Sequence, residues 1–173
     1  MKAVILSIVC CFLLSNISVI GQSNVDKLKR PSPPAEVKVK IDNADISIDY
    51  SSPAVKGRQV WGGLVPYGKV WRTGANEATV FETSQNVFIN GQELPAGKYA
   101  LFTIPGENEW TFIFNREWNQ WGSFKYDKAK DALRVNVAPM PSTAFNERLK
   151  FEVSDNNVVL LWDNLQIILP VKS

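Results

Sequence analysis

The chain has 173 residues, 45% of them hydrophobic, and its 19 basic and 17 acidic residues leave a formal charge of +2. This balance suits one domain with a packed core and gives no reason to expect a nucleic-acid partner. The absence of histidine excludes Ser-His-Asp and Cys-His triads, histidine-ligated metals and histidine general-base catalysis.

The first predicted segment is a secretory signal peptide at residues 1–21. It has a basic start at Lys2, an apolar run from Ala3 to Leu14 and small residues ahead of Gln22, which is the order typical of exported proteins. The apolar run is shorter than the roughly 20 residues of a membrane-spanning helix. We therefore expect a periplasmic or secreted protein without a transmembrane anchor after cleavage; a retained anchor or a buried helix is the alternative.

Both cysteines, Cys10 and Cys11, lie inside this predicted signal peptide. Cys10 follows bulky apolar residues rather than small ones, so lipid attachment is not expected. The mature chain would then have no disulfide, no thiol nucleophile and no thiolate metal site. We expect neither a metal nor another cofactor, and stability must come from packing of the core.

A proline-rich leader is predicted at residues 22–35, because prolines remove backbone donors and keep the preceding residue extended. We expect this leader to be flexible and residues 36–173 to form a single domain. The domain opens with two alternating stretches, 36–41 and 46–50, joined by turn residues at 42–45. Alternation of this kind predicts a hairpin with one solvated face.

The later strands are predicted from the same alternation and from the turn signals between them. The pair Asn90-Gly91 is the strongest hairpin signal, since a type I′ turn needs positive φ angles. Another turn is predicted at Asp163-Asn164. The predicted strands are 78–83, 86–89, 92–94, 98–104, 110–115, 133–137, 148–153, 158–162 and 165–171. About nine or ten short strands in all predict an all-β fold, an antiparallel, jelly-roll-like β-sandwich.

Two long loops interrupt the strand pattern, at residues 54–75 and 116–131. Loops of this length in a compact domain are often functional. The alternative for the first loop is an Ω-type loop whose apolar side chains plug one end of the sheet. We favour that alternative for Val60, Leu64 and Val65.

The candidate site combines residues of both loops. In one interpretation Arg72, Asn76 and Glu77 converge at the mouth of a cleft roofed by Trp118 and Trp121. An arginine offers a planar fork to carboxylate or phosphate groups. Aromatic faces beside polar groups suit sugar or peptide ligands.

Two further residues, Tyr67 and Lys98, complete the set of candidate ligand-binding residues at the border of this site. A structural interpretation stands beside the functional one. In it Arg72 and Glu77 pair with each other or cap loop backbone, and Asn76 holds a turn. Buried polar networks of this kind can exist only to specify a loop conformation.

The stretch from Tyr67 to Thr79, YGKVWRTGANEAT, and that from Leu94 to Pro105, LPAGKYALFTIP, resemble the family called domain of unknown function 2911. The later EWT and WG elements are similar too. The resemblance covers most of the mature chain, from about Pro33 to the last strands. It implies a secreted or periplasmic bacterial domain that is rich in β-structure and has no established activity.

Three functional hypotheses follow. The first is a non-catalytic module that binds a glycan, a peptide or a small molecule. The second is a carbohydrate-active hydrolase that works without histidine, using Glu77 with a second carboxylate from Glu82, Glu117 or Asp127. The third is a purely structural protein of the cell envelope. No spacing in the sequence selects a catalytic pair, so we assign no catalytic residue.

Overall fold

The computed structural model describes residues 26–173, and the predicted signal peptide lies outside them. Ten strands and one short 3-10 helix, Lys128–Lys130, form the domain, and residues 26–28, at the start of the described range, are helical. The strands are β1 (Pro34–Ile41), β2 (Ala44–Ser51), β3 (Thr79–Thr83), β4 (Val87–Ile89), β5 (Gln92–Leu94), β6 (Gly97–Ile104), β7 (Trp110–Asn115), β8 (Asp131–Val137), β9 (Met140–Ser154) and β10 (Asn157–Lys172). Within residues 26–173, no helix has the length and apolar character needed to cross a membrane.

Two antiparallel sheets pack as a sandwich. The larger sheet has the order β1-β2-β3-β6-β7-β8, and the smaller one has the order β5-β4-β10-β9. The first hairpin shows why the alternation forms strands: Val37 faces Ile48 across the β1–β2 ladder, and Glu36 faces Asp49 on the solvated side. The predicted all-β antiparallel sandwich is confirmed.

The predicted turn at Asp163-Asn164 is wrong, because β10 runs through both residues without ending. The pairing of β10 with β9 shifts register on either side of Asp163, whose φ is 55°. A bulge of this kind absorbs extra residues while the strand continues. Strand β9 also begins earlier than predicted, since it lies at the edge of the smaller sheet, where Pro141 is tolerated.

Four tryptophans form the centre of the core between the sheets. The ring of Trp61 lies edge-on to Trp110, with centroids 4.9 Å apart, and to Trp162 at 5.5 Å, while Trp71 stacks on Trp162 at 5.8 Å. Each such pair adds about 0.5–1.5 kcal/mol beyond the burial of apolar area. In the described part of the chain, Nε1 of Trp61, Trp110 and Trp162 has no hydrogen-bond partner, so ring packing holds this cluster together.

The first long loop contributes side chains to this core. Val60 and Val65 are buried as predicted, but Leu64 is 43% exposed, which corrects its predicted role. The reason is a tight turn: Val65 N–H donates to the carbonyl of Val60 at 2.8 Å, and Leu64 N–H donates to Gln59. Leu64 therefore lies at the tip of the turn, away from the sheets.

We expect Trp110→Ala to lower the free energy of unfolding by about 3–5 kcal/mol, because the truncated ring leaves a cavity in a fully buried cluster. Trp110→Phe should cost less. Urea denaturation followed by circular dichroism measures both. Phe145→Ala on β9, where the ring is 56% exposed, is the control and should change stability by at most about 0.5 kcal/mol. Equal effects of Trp110→Ala and Phe145→Ala would contradict this account of the core.

Candidate functional site

A cleft of about 510 Å3 lies on the larger sheet. Ile48 and Phe81 point into the core, so their neighbours Asp49 and Val80 point to the opposite face and form part of the floor. One wall is the leader. The other wall is the second long loop. The lining residues include Lys27, Leu28, Arg30, Asp49, Tyr50, Glu77, Val80, Lys98, Trp118 and Gln120.

The two long loops meet beside this cleft through backbone hydrogen bonds. Glu77 forms an isolated antiparallel bridge with Trp121. On either side of this bridge, Ala78 N–H donates to Gln120 and Gly122 N–H donates to Asn76, each at 3.0 Å. This bridge brings together residues that lie more than forty positions apart in the sequence, and it fixes where Glu77 points.

A compact turn over residues 72–79 holds the backbone on both sides of Glu77. Thr79 donates from N–H to the carbonyl of Arg72 at 3.1 Å and from Oγ1 to the carbonyl of Thr73 at 2.9 Å. Gly74 packs so closely on this turn that an added Cβ would lie 2.9 Å from Thr79 Oγ1 and 3.0 Å from the carbonyl oxygen of Ser51. Glycine at this position therefore allows the turn to pack against the end of β2.

Glu77 is the anionic centre of the site. Nη1 of Arg30 donates to both carboxylate oxygens, at 2.8 and 3.0 Å, and Nζ of Lys27 lies 3.4 Å from Oε1. Burial raises the pKa of Glu77, but a backbone hydrogen bond and these two cations outweigh it and hold the pKa below its usual value. Glu77 is therefore charged at neutral pH and anchors the leader.

The leader lies along the domain from Arg30 to Pro33. The guanidinium of Arg30 lies 5.7 Å from the centre of the Trp121 ring. The three carbonyls that follow each accept a hydrogen bond from the domain: Pro31 from Arg148 Nη1, Ser32 from Asn76 Nδ2 and Pro33 from Ser52 N–H. Strand β1 begins at Pro34, inside the segment predicted as leader, and the flexibility of that segment stays a prediction.

Asn76 occupies the left-handed region with φ 58°, a conformation that asparagine tolerates better than most residues. Its side chain reaches the leader rather than closing its own turn, with Nδ2 3.1 Å from the carbonyl oxygen of Ser32. Asn76 is not among the residues that line the cleft. The structure therefore assigns it to the leader side of the site.

Arg72 is not brought into this group, and Glu77 pairs with Arg30 and Lys27 instead. Trp71 pairs with Thr103 and places its indole against the core, so the next side chain leaves on the opposite side. Within residues 26–173, Nε of Arg72 is buried without a hydrogen-bond partner. Burial lowers the pKa of Arg72. Arg72 does not line the cleft.

The three aromatic residues predicted for the site, Trp118, Trp121 and Tyr67, lie at three different places on the domain. Trp118 lines the cleft, is 41% exposed and carries Lys98 Nζ 4.7 Å from its ring centre. Lys98 Nζ also lies 3.1 Å from Glu82. Trp121 supports Arg30 instead of roofing the cleft. Tyr67 lies elsewhere, with its ring against Gly62.

Sequence reasoning missed Asp49, Gln120 and Arg30. Asp49 had a detectable signal, since it falls on the solvated face of a predicted hairpin. Burial raises its pKa, and the charge of Glu36 adds to that shift. Gln120 is 8% exposed; its Nε2 donates to Glu117, and its Oε1 is buried without a partner among the described residues. No local pattern marks Gln120 or Arg30, because their roles depend on contacts between distant segments.

Within the described residues, no three acidic side chains lie close enough together to hold a metal ion. The model of the family described as Protein of unknown function (DUF2911) matches residues 32–171. That range contains Asn76, Glu77, Trp118 and Trp121, and it begins after Arg30. No curated protein and no solved structure matches the chain.

We expect Arg30→Ala to raise the pKa of Glu77, because the variant removes a cation that favours the charged carboxylate. A pH titration of the glutamate carboxyl carbons by NMR measures this shift. Arg58→Ala is the control, since the guanidinium of Arg58 contacts the backbone carbonyls of Ala54 and Val55. An unchanged pKa of Glu77 in Arg30→Ala would contradict the ion pair.

The sign of the linked stability effect follows from the lowered pKa. Glu77 contributes to stability above the pKa of an unfolded glutamate, near 4.3, and this contribution is lost as the pH falls through its lower folded pKa. The side chains of Glu77 and Arg30 are 39% and 28% exposed. The contribution should therefore stay within about 1 kcal/mol.

Proposed function

The chain belongs to the family of proteins of unknown function DUF2911, and we propose that it is an exported, non-catalytic binding module whose ligand occupies the cleft beside Trp118. One observation carries this proposal. Gln120 is almost fully buried at the cleft and holds an acceptor, Oε1, without a partner among the described residues. Buried polar atoms normally have a hydrogen-bond partner, and a ligand donor would supply one.

The rest of the cleft favours a short glycan as this ligand. Trp118 offers a half-exposed ring on which the apolar face of a sugar can stack. Asp49 and Lys98 add groups that hydrogen-bond to hydroxyls. The volume of about 510 Å3 lies in the range of about 300–1,000 Å3 common for ligand sites. A peptide or another small polar molecule is the alternative ligand.

The state of Glu77 favours binding over hydrolysis. A general acid needs a raised pKa, whereas two cations hold Glu77 in its charged form. The hydrolase remains the second candidate because of Asp49, which lines the same cleft and has its pKa shifted in the opposite direction. Analysis of the glycans after incubation distinguishes the two functions, since a binding module returns them uncut.

We expect Trp118→Ala to weaken retention on a glycan array by about tenfold or more, the effect of losing about 1.4 kcal/mol of stacking. Gln120→Leu should also weaken retention, because it removes the unpartnered acceptor. Trp118→Ala should keep nearly the melting temperature of the unmodified protein, whereas thermal melting must show that Gln120→Leu, which also loses the bond to Glu117, stays folded.

Phe145→Ala is the matched control, since it removes an exposed aromatic ring that lies on β9, outside the cleft-lining set. A large fall in melting temperature for Trp118→Ala would identify this ring as a structural element. Retention that is unchanged in both cleft variants, or absent from the unmodified protein across glycans and a small-molecule thermal-shift screen, would overturn the proposed function.

A further inference from the structure

The surface that holds the leader shares Glu77 with the cavity beside Trp118 but is a binding site in its own right. We term it the leader groove, formed by Ser52, Asn76, Glu77, Trp121 and Arg148. We propose that the leader groove recognises a peptide in which an arginine precedes proline-rich residues, and that the chain's own leader fills it in cis. This inference does not depend on the proposed glycan.

The arginine subsite uses two kinds of contact at once. The carboxylate of Glu77 accepts both hydrogen bonds from Arg30, and the face of Trp121 lies 5.7 Å from the same guanidinium. A carboxylate beside an aromatic face is selective for cations, and arginine is favoured because its planar head can satisfy both. The subsite therefore specifies the side chain at one position of the peptide.

The rest of the groove specifies backbone rather than side chains. Three successive carbonyls of the leader each accept a hydrogen bond from a different segment of the domain. Proline suits such a partner, because it has no N–H to satisfy and its φ is fixed. Recognition of a proline-rich segment through its carbonyls and an aromatic ring is a recurring mode of peptide binding.

The groove is held in place by contacts that do not involve the leader. Arg148 donates to the carbonyl of Ser52 at 3.0 Å. Asn76 and Glu77 are fixed by the backbone bonds that join the two long loops. Because these donors are already in place, little conformational entropy of the groove is lost when a peptide binds.

The leader itself is bound weakly enough to be displaced. Both partners of the Arg30–Glu77 pair are partly exposed, and such pairs contribute about 0–1 kcal/mol. The covalent tether supplies a local concentration on the order of millimolar. A peptide in solution must compete with this occupant, so removal of Arg30 should open the groove to it.

Fluorescence anisotropy with a labelled synthetic peptide of residues 27–34 tests the proposal on the full chain. We expect Arg30→Ala to bind this peptide up to about fivefold more tightly than the unmodified protein, because the internal competitor is weakened. A peptide with alanine in place of its arginine should bind Arg30→Ala up to about fivefold less tightly. Higher salt should weaken the arginine peptide more than the alanine peptide.

Three variants in the Arg30→Ala background check the groove residues. Adding Glu77→Gln should reduce binding of the arginine peptide to the level of the alanine peptide. Adding Trp121→Phe should retain more binding than Trp121→Ala, since a smaller aromatic face still attracts the guanidinium. Thermal melting by circular dichroism confirms that each variant is folded. Equal binding of the arginine and alanine peptides to folded Arg30→Ala would overturn the proposal.

The readouts of the two proposals fail separately. Peptide anisotropy reports on Glu77 and Trp121, whereas glycan retention reports on Trp118 and Gln120. Peptide binding without glycan retention would support the leader groove and overturn the proposed glycan site. Glycan retention without peptide binding would support the glycan site and overturn the leader groove.

Discussion

The short antiparallel bridge between Glu77 and Trp121 is the contact on which the candidate site depends. The larger loop reaches this point because two of its tryptophans, Trp61 and Trp71, are packed into the core between the sheets. The second loop is fixed by Tyr126, whose ring packs against Phe102, and by backbone hydrogen bonds to the first loop. A fold stabilised by core packing thereby positions a polar site on its outer surface.

The negative charge of Glu77 holds the leader on the surface of the domain. A lone carboxylate beside a cleft would attract any cation, but here two basic residues of the preceding leader lie within contact distance. The leader thus becomes one wall of the cleft and not a detached tail. The same carboxylate lines the cleft beside Trp118 and accepts the hydrogen bonds of Arg30.

The sequence predicted most of the strands because their side chains alternate between the core and solvent. It failed at Asp163, where a bulge and a turn use the same residue types. The local composition around Asn76 and Glu77, and the tryptophans at 118 and 121, identified half of the site. The partner of Glu77 could not be predicted, since Arg30 lies 47 positions away and no periodicity relates a leader to a loop. Arg72 was misplaced for a related reason: the direction of its side chain is set by the burial of its neighbour Trp71.

The most direct test of this account measures whether Glu77 holds the leader on the domain. Limited trypsin digestion, followed by intact mass spectrometry, reports cleavage after Lys27 and Lys29 in the folded chain. When opening is fast relative to cleavage, the rate follows the population of the released leader. Glu77→Gln should be cleaved there up to about fivefold faster than the unmodified protein, as expected for the loss of about 1 kcal/mol. Glu107→Gln, an exposed glutamate outside the cleft and the groove, should be cleaved at the unmodified rate. Equal cleavage of all three proteins would contradict the claim that this ion pair binds the leader.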